Sequence, residues 1–322
     1  MAPGKVKTAP TIPCSSRVDE NNNPLRTIDA LILLCGSIRP TPLIRSIGRS
    51  VMDLPLTADK SLMRHWYELA TELSCGLEMP KLDTRVLFNN HVAPPSIVGM
   101  NGRVHLQMDQ DRCELRGTAG VLRDVAEPYP EDSLFLIAHG AQHIRRPLTP
   151  IVQQMIAKEA DVVLLVEPDH SPSGLMLMQR SALNVVSKIG YVDLKEQALP
   201  RMRQHCKVEV LFLDEPLALP IRCRESYLHA LHQYYHDLMG DGQVLHPFSE
   251  KWQATFRIVE GGTQVAPDAR ILNSVVLSGG TVESGAVVVD SVVGPGGVVR
   301  RGTQVLGQLI RAPQHKKMRG VS

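Results

Sequence analysis

Val265-Ala266-Pro267-Asp268-Ala269-Arg270, Ile271-Leu272-Asn273-Ser274-Val275-Val276, Leu277-Ser278-Gly279-Gly280-Thr281-Val282 and Glu283-Ser284-Gly285-Ala286-Val287-Val288 follow one another as units of six. The beat runs from Val265 to Ile310, and small or turn residues alternate in it with aliphatic ones. A parallel coil of short strands has this pattern. A β-branched residue points inward on each strand, a small residue fits the corner, and Gly or Asn takes up the left-handed backbone angle. The expectation is a left-handed parallel β-helix of two or three coils, with an antiparallel β-meander as the alternative.

Upstream of Gly240-Asp241-Gly242 the rhythm is different. From Ile28 to about Gly240, short β-branched runs alternate with amphipathic stretches, as in an α/β domain. Ile28 to Gly36 reads as a buried first strand ending in a glycine, and Lys60 to Leu73 as a helix after a long loop. Further strands are expected at Leu134 to Ala138, Val162 to Val166, Leu175 to Met178 and Val208 to Leu213, with a helix at Ile151 to Glu159. The sum is a mixed, mostly parallel, Rossmann-like sheet whose ligands sit at the strands' C-terminal ends. The expected division is a disordered tail at 1–24, an α/β domain at 25–240, and the β-helix with a C-terminal tail at 241–322.

Bulk properties narrow the function. The 322 residues are 43% hydrophobic, enough for a full core, and the formal charge of +2 is spread without basic clusters, so no nucleic-acid partner is called for. Cys14, Cys35, Cys75, Cys113, Cys206 and Cys223 are far apart and contain no C-x-x-C pair, which reads as reduced thiols. No apolar run reaches the roughly 20 residues that span a bilayer. A cytoplasmic protein without membrane contact is expected.

The Gly117-Thr118-Ala119-Gly120-Val121-Leu122 segment, followed by the strand at Leu134, carries the most specific likeness to known proteins. It resembles the G-T-A-G-x-L segment of sugar-1-phosphate nucleotidyltransferases of the glucose-1-phosphate adenylyltransferase and mannose-1-phosphate guanylyltransferase group, which end in a hexapeptide β-helix. Ser173-Gly174-Leu175 and Asp193-Leu194-Lys195-Glu196-Gln197 are similar to that family's sugar-side segments. The resemblance implies that Gly36, Gly117, Thr118 and Gly120 lie against a nucleotide, and that Gly174, Asp193 and Lys195 face the sugar. A tight helix-entry turn capped by Thr118 accounts equally well for the glycines.

The chemistry departs from the family. Its G-G-x-G-T-R loop and P-K-P lysine correspond to Gly36-Ser37-Ile38-Arg39-Pro40-Thr41-Pro42 and, further on, Val51. Pro40 and Pro42 have no N–H to cradle phosphate. Ala141 and Pro220 stand where the two metal-binding carboxylates belong, and neither has a side-chain oxygen for Mg²⁺. Arg39, Arg45 and Lys195 are the candidate catalytic cations of a relocated site, with Gln142 or Asp193 as substitute metal ligands and Mg²⁺ as cofactor only if the protein is active. The bland reading of Arg39, Arg45 and Arg49 is that they are solvated loop arginines.

Other constellations add little. His229, His232 and His236 fall at helical spacing beside a stripe of Leu228, Leu231, Tyr235 and Leu238, which reads as the margin of an amphipathic helix. His139 and His143 flank the lost aspartate and read as pocket-lining. The hexad region has no histidine between Pro247 and Gln314, which argues against the acyltransferases that also use such coils. Three expectations follow. The first is a catalytically degenerate nucleotide or nucleotide-sugar binder that forms homo- or hetero-oligomers through its β-helix and acts in regulation or assembly. The second is an active enzyme with relocated residues, and the third a structural adaptor.

Overall fold

The computed structural model describes residues 27–35, 42–89, 92–100, 102–111, 116–239 and 255–312. The 1–24 segment, Gly36 and Arg39 lie outside the described residues. A seven-stranded sheet forms the first part. In chain order its strands are β1 (Ala30–Leu34), β2 (Leu82–Asn89), β3 (Val104–Asp111), β4 (Leu134–His139), β6 (Val162–Val166), β7 (Pro172–Gln179) and β8 (Val208–Phe212). A two-stranded ribbon of β5 (Gln142–Ile144) and β9 (Ala218–Pro220) stands beside it. The spatial order is β3-β2-β1-β4-β7-β6-β8, all neighbours parallel except β7, which runs against both β4 and β6.

Both faces of the centre are covered, which is why β1 and β4 read as continuous apolar runs. Leu31 and Leu33 point into one core, with Leu136 and Ala138; Ala30, Ile32 and Leu34 point into the other, with Phe135 and Ile137. On the first face lie α2 (Leu62–Gly76), α4 (Thr149–Ile156) and α6 (Arg224–Met239). On the second lie α3 (Gly117–Ala126), a 3₁₀ turn at Arg180–Val185 and α5 (Leu199–His205). The expected long loop before α2 instead holds α1 (Pro42–Ile47) and a 3₁₀ turn at Val51–Asp53. Strands β2 and β3 escaped the sequence analysis because they interleave polar residues, Asp83 and Arg85 on β2 and His105, Gln107 and Asp109 on the edge strand β3. Among the described residues no helix is long and apolar enough to cross a membrane.

The C-terminal part is three small parallel sheets. They comprise β10 (Arg257–Val259), β13 (Ser274–Val276), β16 (Val292–Val293) and β19 (Leu309–Ile310); β11 (Gln264–Val265), β14 (Thr281–Val282) and β17 (Val298–Val299); and β12 (Arg270–Leu272), β15 (Val287–Val289) and β18 (Gln304–Leu306). The stacking is compatible with a parallel β-helix, and the parallel pairing excludes the meander. Each strand pairs with one 17 residues further on, so a turn is one residue shorter than three hexads. The reason lies at one corner. Asn273 and Asp290, each at φ 47°, and Gly307, at φ 61°, turn the chain between strands in a single left-handed residue. Ile271, Val276, Val282, Val288, Val293, Val299 and Val305 then fill the interior.

The coil packs on the α/β part rather than hanging from it. Phe256, Ile258, Val275, Leu277 and Val292 belong to the same core as Tyr227, Leu228 and Leu231 of α6. The Phe256 ring stacks on Tyr235 at 5.6 Å and meets His232 edge-on at 4.9 Å. Arg49, expected as a solvated loop residue, is paired with Glu260 of the coil at 2.6 Å. On α6 the buried aromatics are Tyr227 and Tyr234, while Leu238, placed in the apolar stripe by sequence, is 62% exposed. His229 and His236 are exposed, as expected for the helix margin.

Candidate functional site at the end of the central strands

From β1 the chain moves to β2 and β3 on one side, then returns to β4 on the other. The C-terminal ends of β1 and β4 therefore flank the point where strand order reverses, where open α/β sheets hold ligands. Cys35 closes β1, with its N–H on Leu87 O at 2.8 Å. His139 and Gly140 close β4, and the Gly140 N–H reaches Leu34 O at 3.0 Å. A side chain on Gly140 would run into the Cys35 sulfur, so the two strand ends meet at closest approach. Burial pushes the Cys35 thiol far above its usual range, so it stays protonated and inert.

Around this point the chain is firmly held. Trp66 of α2 is fully buried and donates its indole N–H to Gly140 O at 2.9 Å; the Gln142 N–H reaches the same oxygen at 2.8 Å. Gln142 is 4% exposed, and its side-chain amide nitrogen has no partner among the described residues. Opposite lies Gly174 of β7, at φ 79°, where an added Cβ would stand 2.9 Å from Gln142 Oε1 and 3.0 Å from His139 Cδ2. The absent side chain lets His139 and Gln142 meet there.

The ribbon brings in Arg222. Glu167, buried at the end of β6, accepts the N–H groups of Leu217 at 2.9 Å and Ala218 at 3.1 Å. Gln142 then pairs with Pro220, and the Ile221 N–H donates to Ala141 O at 2.8 Å. Ser226 Oγ accepts from Arg222 N–H at 2.9 Å and Cys223 N–H at 3.0 Å, which fixes the loop before α6. Ala141 and Pro220, the two positions at which the resemblance asks for carboxylates, are thus neighbours across one ribbon. Arg222 was missed because it is one exposed arginine in Arg222-Cys223-Arg224; the Ser226 hydroxyl that locks its loop was the available signal.

Lys195 comes from the second face. Asp193 Oδ1 accepts the N–H groups of Lys195 and Glu196, both at 2.8 Å, and so caps a π-helical turn at Leu194–Ala198. His139 senses both cations. Its proton affinity is lowered first by burial, then by the charges of Lys195 and Arg222, so it is neutral near pH 7.

The glycine segment has a different local role. Gly117 starts α3 at φ 68°, and a Cβ there would collide with the Val192 carbonyl. The Ala119 N–H bonds that carbonyl at 3.1 Å, and the Val192 N–H bonds Arg116 O at 2.9 Å. A Cβ added at Gly120 would stand 3.3 Å from the Arg116 side chain, so the glycine leaves that side chain room. Thr118 does not cap the helix; Arg116 is the N-cap residue and makes no side-chain cap bond. The close approach that Gly117 permits is thus to the protein's own backbone, and it fixes the segment bearing Asp193 and Lys195. Gly117→Ala is expected to cost about 2–4 kcal/mol, left-handed strain plus the collision, measured by urea unfolding. Gly48, at φ 68° with nothing within 4 Å, is the control. Gly48→Ala should cost only about 1–2 kcal/mol, and equal shifts in both variants would refute the collision.

Not every expected residue joins this site. Arg45 sits exposed in the last turn of α1. His143, expected to line a pocket, is 2% exposed in the core, with its ring 4.8 Å from that of His65 and 5.3 Å from that of Tyr234. A cavity of about 620 Å³ lies elsewhere, between the start of α2, residues 96–100 and Glu260. Its cations are paired within the fold, Arg49 with Glu260 and Lys60 and Arg64 with Glu68, while its carboxylates Asp53 and Asp59 accept from Ser96 N–H and the Thr57 hydroxyl.

No family model and no curated protein sequence matches the chain. Among solved structures it is similar to one named as a glucose-1-phosphate thymidylyltransferase from Bacillus anthracis, in complex with sucrose. The identity is 10%, the TM-score 0.49, and the match covers 63% of this chain and 94% of that one. It is also similar to HddC from Yersinia pseudotuberculosis, at 13% identity and TM-score 0.46, covering 64% of this chain and all of that one. HddC complexed with GMP-PN matches at 12% identity and TM-score 0.46, with the same coverage. What this chain binds has to be read from its own residues.

Proposed function

We propose that the chain binds a nucleotide or nucleotide sugar where its central strands end, and that it is a catalytically degenerate relative of sugar-phosphate nucleotidyltransferases acting in regulation or assembly. One observation supports it above the others. At the strand-order reversal, Gln142 carries a buried amide nitrogen with no partner among the described residues, next to the half-buried His139, on which the charges of Lys195 and Arg222 act. Donors without acceptors at such a crevice suit the phosphate oxygens of a ligand. At the nucleotide end Thr118 would border the ligand, with Gly117 and Gly120, which pack on the protein's own Val192 and Arg116, shaping the turn behind it, and Gly174, Asp193 and Lys195 would border the sugar end. The C-terminal coil, taken as a left-handed β-helix, would carry the oligomer contacts.

Magnesium does not fit the residues present. Mg²⁺ takes hard oxygen ligands in near-octahedral geometry. Ala141 and Pro220 have none to give, and Asp193 Oδ1 is engaged by two backbone N–H groups. Among the described residues no group of three or more His, Cys, Asp or Glu side chains is placed to hold a metal ion. No transfer step is therefore assigned.

A thermal-shift series of the full chain against nucleoside triphosphates and nucleotide sugars tests the binding. A ligand at a hundred times its Kd contributes about 2.7 kcal/mol and should raise the midpoint by several degrees. The expected result is a shift with a nucleotide sugar in metal-free buffer and no pyrophosphate release from triphosphate plus sugar phosphate. No shift with any ligand removes the proposal, and turnover within tenfold of ordinary enzymes removes the degenerate part of it.

A further inference from the structure

We infer that Arg222 and Lys195 take the place of a divalent cation at the end of β4, so that the chain holds a phosphate-bearing ligand as its bare anion. The inference deepens the proposed function and rests on it for the claim that the ligand carries phosphate.

Four observations converge. The two positions where carboxylates would hold a metal are adjacent in the ribbon, and both lack an oxygen-bearing side chain: Ala141 receives the Ile221 N–H on its backbone oxygen, and Pro220 pairs with Gln142. Two residues past Pro220, Arg222 projects from a loop that Ser226 fixes by two hydrogen bonds. Neither Arg222 nor Lys195 has a carboxylate partner among the described residues. By contrast Arg85, Arg145, Arg180 and Arg224 elsewhere on the surface are ion-paired at 2.6 to 2.9 Å. Finally, the Gln142 amide is 4% exposed and unpartnered, beside His139 at the Gly174 gap.

The physics of the pair is simple. Both cations act on His139 at this strand end, and an anion bound there would interact favourably with each of them. A guanidinium presents a planar fork that matches two phosphate oxygens, while the lysine ammonium is a compact charge that tolerates several geometries. A buried amide N–H₂ gains most from an acceptor that arrives with the ligand, since it has none among the described residues. Together these groups neutralise charge as a metal would, without requiring a carboxylate to hold the metal. Added Mg²⁺ would compete for the same phosphate oxygens.

Isothermal titration of the full chain with inorganic pyrophosphate, and separately with a nucleoside diphosphate, in EDTA-containing buffer tests this. Binding of both is expected without divalent metal, and Arg222→Gln and Lys195→Gln should each weaken it by at least about tenfold. Both side chains are exposed, so the unfolding midpoints of the free variants should match the parent. Binding that appears only after Mg²⁺ is added, or that neither substitution weakens, overturns the inference. If the nucleoside diphosphate binds only with Mg²⁺, the proposed function stands and the inference falls. If pyrophosphate binds in EDTA and no nucleotide does, the inference stands and the nucleotide reading falls.

Discussion

Trp66→Ala should lower the free energy of unfolding by about 3–5 kcal/mol, the range for deleting a fully buried large aromatic from a packed core. Trp66 is 0% exposed and lies in the core that joins α2 to the sheet. Its indole N–H also holds Gly140 O at 2.9 Å, at the turn from β4 into β5 that carries His139 and Gln142. A domain with ordinary stability of about 5–15 kcal/mol would lose a large share of it. Trp66→Phe separates the two roles. It removes the donor and only part of the ring volume, and because the Gln142 N–H remains on Gly140 O at 2.8 Å, the carbonyl is not orphaned. The expected loss is about 1–2 kcal/mol, for the hydrogen bond and the smaller ring. Urea unfolding followed by far-UV circular dichroism gives both values. Equal losses in the two variants would mean that the hydrogen bond, not the packing, sets the role of Trp66.

Trp66 also illustrates what the sequence could disclose. The helix that carries it was legible, because α2 is an uninterrupted amphipathic run that begins at a capping serine: Ser61 Oγ accepts the Arg64 N–H at 3.2 Å. The central strands were legible because burial on both faces leaves no room for polar residues. The coil was legible because its beat is local, while the shortened corner was not. Asn273 and Asp290 look like any turn residues until pairing shows that each replaces two. Strands β2 and β3, the outermost pair on one side of the sheet, were hidden because one face of each tolerates polar residues such as Asp83, Arg85 and Asp109.

The site was harder, because its parts come from distant stretches: the ribbon carries Gln142 and the Arg222 loop, β7 carries Gly174, and the turn at Leu194–Ala198 carries Lys195. Residue motifs suggested Lys195, Asp193 and Gly174, yet Arg222 carries no motif of its own. The glycines at 117 and 120 show why composition alone misleads. A glycine that admits a ligand and one that admits a neighbouring carbonyl leave the same letter in the sequence. His143 is a similar case, a histidine directly after Gln142 whose ring is buried in the core against His65 and Tyr234.

Acid should unfold the chain well above the pH at which its carboxylates protonate, because His65 and His143 are buried neutral against each other. Burial, followed by the charge of Lys60, brings His65 down to about 4; burial, followed by His65 itself, brings His143 down to about 3. Lys60 of the loop before α2, Asp237 of α6 and Arg145 beyond β5 are the charged groups that act on His143. His65 Nε2–H donates to Ile144 O at 2.9 Å, and neither ring nitrogen of His143 has a partner among the described residues, so nothing there welcomes a second proton. In the unfolded chain both titrate near 6.5. Between about pH 6.5 and 4 the unfolded state therefore binds more protons than the folded one, and stability falls with pH. The full contribution is present above pH 6.5 and is lost as pH drops, at up to about 1.4 kcal/mol per pH unit for each histidine. Urea midpoints at pH 7.5, 6, 5 and 4.5 should fall steadily. His143→Phe, which keeps an aromatic ring among His65 and Tyr234, removes one titrating group and should roughly halve the slope. A parent midpoint that stays level down to pH 4.5 would show that the pair takes up protons in the folded state as readily as in the unfolded one, and that the core around Tyr234 admits water.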